Sequence, residues 1–62
     1  MTDIVITKLP LRSLVRPKSA KGRRWLIDNI GFKRDLVFSL QTELVEEYAE
    51  AVRGEGLNVE VV

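Results

Sequence analysis

The chain has 62 residues, 45% of them apolar, with four Gly, two Pro and a formal net charge of +1. That is room for one small domain, residues 1–62, and the composition favours a folded chain over a disordered one. There is no Cys and no His, which excludes disulfides, a Cys/His zinc site, a thiol nucleophile and the commonest general base. The near-neutral total conceals a split. Residues 1–34 carry nine basic side chains against two acidic ones, a balance of +7, and residues 35–62 carry Arg53 against seven acidic ones, a balance of −6.

In chain order, Ile4-Val5-Ile6 are β-branched and bounded by polar residues, so residues 3–8 read as a buried strand. Pro10 and Pro17 bias their neighbours towards extended backbone, and the segment between them reads as an ordered connection or a short extra strand at Ser13–Arg16. Ser19 suits a helix N-cap, with the helix running Ala20–Asn29 and stopping at Gly31. Trp25, Leu26 and Ile30 share one face of it, and Gly22 is expected to weaken it by about 1 kcal/mol relative to Ala.

Leu36, Phe38 and Leu40 alternate with Val37 and Ser39, a strand pattern over residues 35–40. Leu44, Val45, Tyr48, Ala49 and Val52 form one apolar stripe of a helix over residues 42–53, with Thr42 as its cap and Arg53 at its negative end. Gly54-Glu55-Gly56 breaks it, and Leu57, Val59 and Val61 alternate with Asn58 and Glu60 in a last, half-exposed strand. The fold class read from this order is α/β (or α+β): a two-layer β-α-β-α-β unit, with a three-stranded sheet covered by two helices on one face. Val5, Thr7, Val37, Ser39, Asn58 and Glu60 then fall on the outer face of that sheet, a surface only partly polar and open to association.

No motif carries chemistry. Gly54 and Gly56 follow a helix instead of opening one, so they are a turn and not a phosphate loop. Ser13, Ser19 and Ser39 have no basic partner at a telling spacing, and Asp28 with Asp35 flank a turn without sign of burial. The expectation is no enzyme, no cofactor and no metal.

Two charged sets remain as binding candidates. Arg12, Arg16, Lys18, Lys21, Arg23 and Arg24, followed by Lys33 and Arg34, could contact nucleic acid or an acidic partner, since clustered cations neutralise phosphates and release counterions. Trp25 could stack on a base, although its apolar face points to core burial. Glu43, Glu46, Glu47 and Glu50 could meet a basic partner, or form a solvated face.

The run Ser19-Ala20-Lys21-Gly22-Arg23-Arg24-Trp25-Leu26-Ile27-Asp28-Asn29, then Tyr48 and Gly56-Leu57-Asn58-Val59, resembles small uncharacterised open reading frames of bacteria and their prophages. The resemblance implies no activity. Together these features predict an accessory protein of bacterial or phage origin that binds protein and self-associates, with a nucleic-acid-binding regulator using residues 12–34 as the alternative. The longest apolar runs, three residues each, are far too short to cross a bilayer, so no membrane association is expected. A polar N-terminus and the lack of Cys point to the cytoplasm.

Overall fold

The computed structural model describes residues 1–31 and 36–62. Its elements are β1 (Ile4–Thr7), β2 (Arg12–Pro17), α1 (Ala20–Ile30), β3 (Phe38–Gln41), a 3₁₀ turn (Thr42–Leu44), α2 (Val45–Arg53) and β4 (Val59–Val61). Among the described residues the sheet has four strands in the order β3-β2-β1-β4, not three. β1 pairs antiparallel with β2 and parallel with β4, and β3 pairs antiparallel with β2. The additional strand is the proline-flanked segment, which lies near the middle of the sheet and spans Arg12–Pro17, beyond the Ser13–Arg16 expected of it.

Side chains alternate across the strands. Ile4, Ile6 and Val15 point to the helix side and are fully buried with Leu26 of α1 and Val45, Ala49 and Val52 of α2. Burying each large aliphatic side chain of this set contributes roughly 1.5–3 kcal/mol. Tyr48 sits edge-on to both Trp25 (centroids 6.5 Å) and Phe38 (5.9 Å), which ties the two helices to the sheet. Leu44, expected in the apolar stripe, is 39% exposed because it closes the 3₁₀ turn before the α-helix begins.

Both ends of α1 follow the sequence. Ser19 Oγ accepts the Gly22 N–H at 3.0 Å, and Gly31, at φ 100°, donates its N–H to the Ile27 carbonyl. Gly22 has a second role. A Cβ there would stand 1.9 Å from the Asp3 carbonyl oxygen, so only glycine lets α1 press this closely onto β1. Thr42 does not cap α2; its hydroxyl is engaged by the β1–β2 hairpin instead. Leu36, expected in the third strand, lies before it in a left-handed conformation (φ 51°) while being buried, an uncommon state for a branched residue. Of the strand expected over 35–40, Asp35 lies outside the described residues.

Candidate interaction surfaces

The side of the sheet opposite the helices carries Val5, Thr7, Arg12, Leu14, Arg16, Ser39, Gln41 and Glu60, none of them fully buried. The register fixes their arrangement. Val5 stands between Arg16 on β2 and Glu60 on β4, and Leu14 stands between Thr7 on β1 and Ser39 on β3. The sequence pattern predicts Val5, Thr7, Ser39 and Glu60 on this face. It does not place Leu14, Arg12 and Arg16 there, because residues 9–18 read either as an ordered connection or as a short strand at Ser13–Arg16. Val37 and Asn58, also expected here, precede β3 and β4.

The six basic candidates divide. Arg16, Lys18 and Arg23 gather where β2 turns into α1: Arg16 and Lys18 line one shallow depression with Pro17, while Lys18 and Arg23 line its neighbour with Ser19. All three are exposed. Arg12 lies at the hairpin end of β2, where its guanidinium donates to Ser39 Oγ (3.1 Å) and to the Ser39 carbonyl (3.3 Å). Lys21 turns to the other side of α1 and donates to the Gly56 carbonyl at 2.8 Å. Arg24 faces Asp28 one helical turn on, at 3.6 Å. Lys33, Arg34 and Asp35 lie outside the described residues.

Glu43, Glu46, Glu47 and Glu50 are exposed along the 3₁₀ turn and α2. Glu46 pairs with Lys8 at 3.4 Å, an exposed contact of little energetic weight. Among the described residues none of the six basic candidates pairs with these glutamates. Trp25 is half-buried, edge-on to Tyr48, with its Nε1–H donated to Glu55 Oε1 at 3.2 Å, so its ring is already engaged.

Two polar groups that sequence reasoning does not single out hold these surfaces in place. Asp3 is buried at the start of β1. Its carboxylate accepts the Asn58 N–H (2.9 Å) and the Ser19 hydroxyl (2.6 Å), and these two bonds, with help from Lys21 and the N-terminus, outweigh desolvation and hold its pKa below the usual 3.8. Ser13, fully buried on β2, belongs to a closed ring. Thr42 Oγ1 can only donate to the Leu9 carbonyl, so Ser13 Oγ donates to Thr42 Oγ1 (2.8 Å) and accepts the Leu9 N–H (3.3 Å). Every donor in that ring has an acceptor, which lets a hydroxyl occupy a core position. The ring also fixes the hairpin loop that presents Leu11, 86% exposed.

Among the described residues no group of three or more acidic side chains could hold a metal ion. Among the described residues no helix is long and apolar enough to cross a membrane. No protein-family model, no curated protein and no solved structure matches this chain.

Proposed function

We propose that this chain acts by binding protein, a second copy of itself included, through the uncovered face of its sheet, and that it performs no chemistry of its own. The observation that carries this reading is the one-sided architecture. Both helices pack on the same face, leaving Val5, Thr7 and Leu14 open on the other, rimmed by charges of both signs. An apolar centre with a polar rim is the usual anatomy of a protein interface. The absence of Cys and His and the resemblance to small bacterial and prophage frames support a non-catalytic accessory role in a bacterial or phage setting, within the cytoplasm. Sedimentation velocity over a dilution series tests the reading, with Leu14→Glu as the variant. Association that weakens on dilution and disappears with Leu14→Glu is expected. A chain that stays monomeric up to millimolar concentration, or a variant that associates like the parent, overturns it.

The second reading, a nucleic-acid-binding regulator, is favoured by the convergence of Arg16, Lys18 and Arg23 on one corner away from the glutamates of α2. It requires binding of duplex or single strands that falls steeply with salt. The slope should shrink by about one when Arg16→Ala or Arg23→Ala removes a cation that neutralises a phosphate. Fluorescence anisotropy without any shift at low salt removes this reading. The engaged ring of Trp25 weighs against base stacking as a contributor.

A further inference from the structure

Resting on the sheet-face reading, we infer that the second copy seats about a two-fold axis lying along β1, so that Arg16 of each copy meets Glu60 of the other on either side of Val5. The register is the basis. Glu60 and Arg16 are the two direct cross-strand neighbours of Val5 on the open face. Strands in a sheet lie about 4.8 Å apart, so the two opposite charges stand at equal distances from β1, one on each side. Half a turn about an axis along β1, midway between two facing sheets, exchanges left and right and sets each guanidinium opposite a carboxylate. An axis across the strands would instead set Arg16 on Arg16 and Glu60 on Glu60. The charge pattern therefore selects one of the two face-to-face arrangements, and the contact is isologous and closes at two copies.

The next row along the strands agrees. Val62 continues the β4 ladder past Thr7, its N–H donated to Ile6 and its carbonyl accepting from Lys8, and it is 61% exposed. Leu14 is the neighbour of Thr7 on the opposite side. The same axis places Leu14 of one copy over Val62 of the other, covering one of the most exposed aliphatic side chains of the molecule. Neither Arg16 nor Glu60 has an ion-pair partner among the described residues, so the pairing across the axis displaces nothing. The contact rests on three short strands, β1, β2 and β4, so the dimer is expected to be a weak one that exchanges with monomer.

Charge reversal tests the axis. Arg16→Glu and Glu60→Arg, each alone, place like charges together and are expected to raise the dimer dissociation constant at least tenfold in sedimentation. Mixed in equal amounts, the two variants restore every pair and are expected to recover a dimer. A second measurement keeps the wild-type charges. Because the chain has no cysteine, Val5→Cys supplies a single thiol on the axis, and a short bis-maleimide is expected to join it to its own mate, while Glu47→Cys on α2 stays unlinked. Association that is lost in Leu14→Glu but indifferent to both charge reversals overturns the axis and leaves the sheet-face reading standing. Open-ended oligomers, as when glutamates of α2 dock on the Arg16 corner of the next copy, overturn it too. A chain that never associates removes the axis and self-association together.

Discussion

Asp3 and Ser19, 16 residues apart, share a 2.6 Å hydrogen bond in which the Ser19 hydroxyl donates, while the same serine oxygen accepts the Gly22 N–H. The other carboxylate oxygen takes the Asn58 N–H. One side chain thus joins the starts of β1, α1 and the approach to β4. The backbone of Asp3 repeats the tie, donating to the Asn58 carbonyl and accepting from Lys18, both at 2.8 Å.

The first prediction follows from the charge on that side chain. Its pKa is lowered on folding, chiefly by the Asn58 N–H and then by Ser19. A carboxylate with a depressed folded pKa contributes stability that is fully present above its unfolded value, about 3.9, and is lost as pH falls through the folded value. The melting temperature of the wild type is expected to drop in acid below about pH 4. Asp3→Asn should melt lower at neutral pH and show a flatter acid limb. A variant with the same acid limb as the parent would show that other carboxylates control it.

Gly22→Ala is expected to destabilise the protein by about 1–3 kcal/mol or more, although alanine favours an isolated helix by about 1 kcal/mol. The added methyl would meet the Asp3 carbonyl at 1.9 Å, so α1 must move off β1. Chemical denaturation measures the loss, and hydrogen exchange should report weaker protection in β1. A stabilised variant would mean that the helix can shift freely.

Thr42→Val leaves Ser13 without its acceptor in a buried site, at a cost of about 1–3 kcal/mol. Ser13→Ala removes the other member of the ring. The double variant should lose less than the two single losses combined, because each single change strands a partner that the double removes. Additive losses in urea unfolding would show that the ring is not a cooperative unit.

Arg53 donates from Nη2 to the Val59 carbonyl at 3.0 Å and so occupies part of the outer edge of β4. Arg53→Ala is expected to leave stability within about 0.5 kcal/mol while exposing an edge of valines to pairing with other chains. Light scattering at raised concentration is the readout. Scattering equal to that of the wild type would show that Arg53 does not guard this edge.

Much of this architecture is legible in the residues. A β-branched run places β1, period-2 spacing β4 and helical spacing α1 and α2, and Ser19 and Gly31 bound α1, because these signals are local. β2 is only half visible. One of its two buried positions holds a serine and its open face a leucine, Ser13 beside Leu14, which inverts locally the alternation that marks a strand. Only Thr42, 29 residues later, satisfies the buried hydroxyl. Thr42 misleads for the same reason, since a hydroxyl before a helix reads as a cap until the hairpin claims it. The six cations stand out as a set, yet their division into one corner of three and three separate contacts depends on Asp28, one helical turn from Arg24, and on Gly56 and Ser39, partners that spacing does not mark.

The parallel pairing of β4 with β1 also sets an order of events during synthesis. Asn58 follows Asp3 by 55 residues, several seconds at the roughly 5–20 residues per second of a translating ribosome. The hairpin and α1 can form in that interval, but β1 must wait with one edge open and its acid half-tied. Synthesis cut short or stalled before Asn58 would yield a chain that holds most of these apolar residues, lacks its closing strand, and is a natural substrate for chaperones and proteases.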